Sequence, residues 1–254
     1  MLGEAALTSL SAFALLGLGL VFGLKHATEA DHIVAVSTIV SEQRSLLRSA
    51  TVGALWGVGH TISLIVVGII VLALRVSVPE RVAHWLEFGV ALMIIGLGTS
   101  ALLRVRKGRR RDVHLHQHKH DGVSHVHLHF HEHETEHTGK VSAHSHVVSR
   151  IGFKPLLIGA MHGLAGSAAL TLLVLTQINS TALGLLYLTV FGIGSILGML
   201  LMSGLIGLPF ALSARKFNGV HYGLQAVAGA LSLAFGLWYA YQTGIASGLW
   251  RTIL

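Results

Sequence analysis

The chain has no cysteine, so it can hold neither a disulfide nor a thiolate metal site. That removes thiolate from the possible metal ligands. Charge is scarce too. Asp, Glu, Lys and Arg make up 11% of the 254 residues, where a soluble domain carries about 25%. With 52% hydrophobic residues and a mean hydropathy of +0.68, the shortage excludes an ordinary soluble fold. No Gly-x4-Gly-Lys-Ser/Thr run is present, so these residues hold no ATPase site of that type. The apolar runs lack the alternation a membrane β-barrel requires. The basic excess, +7 at pH 7, flanks the apolar runs; it marks topology, with the bilayer as partner and no nucleic acid. No basic region precedes the first apolar run, so no cleaved leader is expected.

What is present is an all-α integral membrane pattern. Six apolar segments run Leu7–Val40, Leu47–Leu74, Val82–Leu103, Pro155–Gln177, Ala182–Leu212 and Tyr222–Ile245. The first is too long for one straight crossing of a ~30 Å core at ~1.5 Å per residue, so it must tilt, break or emerge. The two halves resemble each other. "GLKH" at Gly23–His26 matches "GAMH" at Gly159–His162. "WGVGHTIS" at Trp56–Ser63 matches "FGIGSILG" at Phe191–Gly198, and "LEFGVALMIIGLG" at Leu86–Gly98 matches "LQAVAGALSLAFG" at Leu224–Gly236. A repeat of three spans must be inverted, a signature of transporters with a midplane site. The expected fold is thus six transmembrane helices in two inverted three-helix repeats, residues 1–103 and 155–254, around a polar insert at 104–154. Arg44, Arg48, the insert, Arg215 and Lys216 fall on one side. The positive-inside rule puts that side in the cytoplasm and both termini outside, in the cell membrane.

Inside the first segment lies "GLKHATEADHIV", with Lys25, His26, Glu29, Asp31 and His32. On a regular helix at ~100° per residue, His26, Glu29 and His32 share one arc and Asp31 points away. For His26, Asp31 and His32 to meet one ion, the helix must unwind here. Imidazoles with carboxylates suit Ni²⁺, Co²⁺ or Zn²⁺. The plain structural alternative is an ion pair of Lys25 with Glu29 at i,i+4, which leaves Asp31 and both histidines unexplained. His60 stands at the middle of the second span, between glycines that let another backbone approach. His162 is the repeat mate of His26, while Ser167 and Ala168 stand where Asp31 and His32 would be. Glu87 with His84 reads as a polar span end or an outer vestibule, and His221 with Tyr222 as interfacial.

The insert holds 12 of the 18 histidines after "RVRKGRRR". It reads as low complexity, disordered without metal. In an extended stretch His125, His127, His129, His131 and His133 share one side, which suits capture of divalent metal.

His-x4-Asp-His at His26, Asp31 and His32, followed by Gly-His-Thr at Gly59–Thr61, resembles the nickel/cobalt transporter family. Its relatives include urease-accessory membrane proteins and nickel/cobalt efflux proteins with a His-rich cytoplasmic loop. "HGLAGSAALTLL" at His162–Leu173 looks like the urease-accessory branch. The resemblance implies His26, Asp31, His32 and His60 as metal-site residues, with Glu29 and His162 added by the reading of this chain. It departs from the uptake members, which have eight spans and an Asp at the position of Glu29. The expected function is secondary transport of Ni²⁺ or Co²⁺, as substrate and with no cofactor. A cytoplasmic metallochaperone is the protein partner such a loop would serve. The competing class is a non-transporting delivery or sensing protein. A membrane di-iron oxidase is disfavoured, because the six histidines outside the insert form no repeated boxes.

Overall fold

The computed structural model describes residues 2–74, 78–111, 113–120, 123–130, 152–165, 180–216 and 218–249. Its helices are α1 (Leu2–His26), α2 (Ala30–Val40), α3 (Leu46–Leu74), α4 (Glu80–Arg111), α5 (Lys154–Gly163), α6 (Thr181–Lys216) and α7 (Asn218–Ala240). A π-helical turn, Tyr241–Ala246, follows α7. Four helices are long and apolar enough to cross a membrane, or five spans if α1 and α2 count as one. The remaining expected segment, Pro155–Gln177, is described only through α5 and the two residues after it; Ser167 and Ala168 lie outside the described residues. Large apolar side chains such as Leu201, Leu205, Leu231 and Trp238 stay exposed, as they must where lipid rather than water surrounds the bundle.

The long first segment is broken, not straight. Between α1 and α2 the chain leaves the helix over Ala27–Glu29 and turns by 54°. Glu29 is extended, at φ −66° and ψ 149°. Ala27 is buried there while Thr28 and Glu29 are exposed, and the backbone N–H groups of Thr28 and Glu29 bond the Lys25 and His26 carbonyls.

Helix pairing follows the repeat. α1 packs on α6 and α3 on α5, while α3 also faces α6 and α4 faces α7. Exchanging the halves maps each pairing onto another or onto itself. Individual glycines obey the same exchange. A Cβ on Gly23 would meet the Phe191 carbonyl, and one on Gly159 the Trp56 carbonyl. A Cβ on Gly98 would meet Leu233 N and Gly229 O, and one on Gly236 would meet Ile95 N and Ala91 O. Small residues let these backbones touch, which supplies the close packing that drives helix association where no hydrophobic effect acts between helices.

Within the insert the structure describes Val113–His120 and Val123–Phe130. Val113–His120 (β1) pairs antiparallel with Val123–Phe130 (β2). The register sets His114 opposite His129, His116 opposite His127 and His118 opposite His125. His125, His127 and His129 lie at alternate positions of β2. His131 and His133 lie outside the described residues.

Candidate metal centre

The helix break brings six residues singled out in the sequence to one place. His26 ends α1, Glu29 lies in the break, Asp31 and His32 open α2, His60 sits at the middle of α3 and His162 near the end of α5. His26, His32, His60 and His162 are 4%, 0%, 0% and 1% exposed, so four imidazoles share an interior that excludes solvent. Two three-residue groups have ligand atoms mutually within 4.8 Å: His26, His32 and His60, and Asp31, His32 and His162.

The hydrogen bonds fix which nitrogens are free. A carboxylate only accepts, so each imidazole nitrogen facing one carries a proton. Asp31 Oδ1 accepts from His32 Nδ1 at 3.0 Å and from the His32 backbone N–H at 2.9 Å. Its Oδ2 accepts from His162 Nε2 at 2.8 Å. Glu29 takes His26 Nδ1 at 3.1 Å. It does not form the Lys25 pair weighed as the plain alternative. His26 and His32 thus have Nδ1 held by a carboxylate and leave Nε2 as the lone-pair nitrogen. His32 Nε2 is buried without a partner. His26 Nε2 lies 3.1 Å from His60 Nε2. With metal–nitrogen distances of about 2.0–2.1 Å, neighbouring ligands of one cation stand about 2.9–3.4 Å apart. A carboxylate behind a ligating histidine is the usual arrangement that fixes its tautomer and raises its basicity.

The walls were less legible. Trp56 is fully buried and stacks on His32, with centroids 5.6 Å apart and planes at 8°. Phe191, its repeat mate, lies 5.7 Å from His26. The i,i+4 spacing of Trp56 and His60 on α3 was the available signal, since such residues share a helix face. Gly59 and Gly163 bring α3 and α5 together: a Cβ on the first would meet the Leu156 carbonyl, and one on the second the His60 carbonyl. Glu87 lies outside the cluster, though Glu87 and Tyr239 both feel the Asp31 charge. His221 is 3% exposed, and it bonds Ser213 and Gln225.

Together these features define a helical membrane protein with an imidazole–carboxylate cluster buried at a broken helix. The chain belongs to the NicO family. The profile of that family, described as High-affinity nickel-transport protein, matches residues 12–240. Among similar proteins, Urease accessory protein UreH of Bacillus sp. (strain TB-90) is 37% identical over 94% of this chain and 95% of its own. Chloroplast protein FOR GROWTH AND FERTILITY 1 of Arabidopsis thaliana is 25% identical over 86% of this chain and 56% of its own. Chloroplast protein FOR GROWTH AND FERTILITY 2 of the same plant is 25% identical over 66% and 40%. No solved structure matches the chain significantly.

Proposed function

We propose that this chain is a secondary transporter of Ni²⁺, with Co²⁺ as a second substrate, and that the cation is held by Nε2 of His26, His32 and His60. The single observation that carries the reading is the set of buried Nε2 atoms whose rings are oriented from behind by Glu29 and Asp31. Such a trio leaves coordination positions for water or for Asp31 after a side-chain rotation, and an incompletely enclosed ion can leave again. Borderline imidazole nitrogen suits Ni²⁺ and Co²⁺, and no thiolate competes for softer ions. His162, bonded to the other oxygen of Asp31, sets where that carboxylate stands. No group in the cluster has a nucleophile's environment, so the reading is of a carrier and not an enzyme.

The exchange symmetry of helix pairs and glycine contacts supports two inverted three-helix repeats with the site between them, the arrangement used for alternating access. The bilayer is the cell membrane, with the insert in the cytoplasm and both termini outside, by the distribution of Lys and Arg. There the histidines of the insert buffer or collect cations, in exchange with a cytoplasmic metallochaperone. The test is ⁶³Ni²⁺ flux in sealed vesicles of known orientation, under imposed potential and then an imposed pH gradient. Saturable flux that Co²⁺ inhibits is the expected result, and the gradient that drives it assigns the direction. Bound metal with no flux under either gradient would overturn transport in favour of a delivery or sensing role.

A further inference from the structure

The interior face of α7 bears a polar stripe that the cluster itself does not use. His221, Gln225, Ala228, Ser232 and Tyr239 recur at steps of three, four or seven residues, so they share one side of the helix. That side lies along α2. Ser232 Oγ donates to the Val34 carbonyl at 3.0 Å and pairs with Thr38 Oγ1. Gln225 Nε2 donates to the Ser41 carbonyl at 2.8 Å. Thr38, Ser41, Ser232 and His221 are all buried, which is unusual company for a seam at membrane depth. The α4–α7 seam, by contrast, is closed by Gly98 and Gly236 against backbone.

The polar seam has two ends. One is Asp31, in the first turn of α2. The other lies ten residues along, about 15 Å at the helical rise. There a cavity of about 220 Å³ is lined by Ser41, Glu42, Arg44, Arg104, His221 and Gln225, among others. It has room for several waters, each with a liquid share of ~30 Å³. The amide of Gln225 donates to Ser41 and to His221 Nε2, which leaves its Oε1 as an acceptor. An ion pair joins Glu42, just past α2, to Arg104 on α4. Arg104 is also where the insert begins, so the cavity lies at the insert-bearing end.

Resting on the transport reading above, we propose that the α2–α7 seam is the passage for a divalent cation between the imidazole cluster and the insert-bearing end. The Glu42–Arg104 ion pair is the latch across its mouth. Hydroxyl and amide oxygens replace water around a hard or borderline cation along the way. Glu42 exchanges Arg104 for the cation as it passes. Burial pushes the Glu42 carboxyl up, and Arg104 and Lys154 pull against it. His221 and Gln225 hold the end of α2 to α7 while the latch is shut.

The absence of cysteine makes the test direct. Single Thr38→Cys and Gln225→Cys variants of the full chain are treated in sealed vesicles with a membrane-impermeant thiol reagent on the insert-bearing side. Leu231→Cys, on the exposed face of α7, is the lipid-facing control. ⁶³Ni²⁺ flux is measured on the same vesicles, together with Asp31→Asn. The passage predicts modification at both positions, slowed by Ni²⁺. It also predicts a rise of up to about fivefold when Arg104→Gln opens the latch and leaves the Glu42 carboxylate for the cation, the change a partly exposed ion pair carries. The double charge swap Glu42→Arg with Arg104→Glu should return the rate to that of the parent. Asp31-dependent flux with both thiols unreactive, or reacting no faster than Leu231→Cys, would overturn the passage and leave the transport reading intact. Reactive thiols with no Asp31-dependent flux would overturn both.

Discussion

Replacing Asp31 by Asn keeps the shape of the side chain and removes its charge. The wild-type carboxylate accepts three hydrogen bonds, from His32 N, His32 Nδ1 and His162 Nε2. An amide offers one oxygen and one NH₂ group, so one imidazole must present a lone pair where it now presents N–H. If that imidazole is His32, its proton moves to Nε2 and occupies the nitrogen meant for the cation. Loss of a carboxylate behind a ligating histidine typically lowers metal affinity by ~10–100-fold, which is about 1.4–2.7 kcal/mol. The charge lost also stood within hydrogen-bond distance of two rings in a dry interior, so the upper half of that range is expected. Glu29→Gln is the built-in comparison. Glu29 is 46% exposed at its side chain, and a partly solvated pair is worth about 0–1 kcal/mol, or at most about fivefold. Calorimetric titration of Ni²⁺ into detergent-solubilised protein reads both. Both variants keep the same insert, so its weaker sites cancel in the comparison. Equal losses, or a greater loss for Glu29→Gln, would refute the assignment of Asp31 as the dominant orienting charge.

His26→Ala should reduce ⁶³Ni²⁺ flux more than His162→Ala, because only the first removes a lone pair beside His60; the reverse order in vesicle assays would move the site toward α5. Trp56→Ala should destabilise the bundle by ~3–5 kcal/mol, the usual range for a buried aromatic, seen as a lower melting temperature in detergent. Gly59→Ala should lower that temperature, since a Cβ there meets the Leu156 backbone, whereas Gly96→Ala, with nothing within 4 Å, should hold or raise it by the ~0.5–1 kcal/mol that helical Ala gains over Gly. Deleting Val113–His146 should shift the concentration dependence of flux and leave transport in place; complete loss would put the insert in the path of the ion.

The break in the first segment was legible because length and chemistry required it. Thirty-four residues, Leu7–Val40, overfill one span, and Asp31 cannot join His26 and His32 on a regular helix. The partner of Glu29 was not legible. Spacing offers Lys25 at i,i+4 and His26 at i,i+3 alike, and the turn out of the helix at Ala27–Glu29 selects His26. His221 was read only from its place at the start of a span. Its burial depends on Ser213 from α6 and Gln225 one turn on. Trp56 entered the sequence reading only as the end of a repeat match, yet its ring is the wall against which His32 is set. The repeat was visible as matching tetrads, but its use in packing, with α1 on α6 and α3 on α5, appears only when the backbones meet.

The measurement that tests the central claim most directly is nickel X-ray absorption on the chain lacking Val113–His146, so that the insert contributes no signal. The account predicts imidazole scattering from three nitrogens at about 2.0–2.1 Å, falling to two in His60→Ala and surviving in Glu29→Gln. A spectrum of oxygen ligands alone, or one unchanged by His60→Ala, would contradict it.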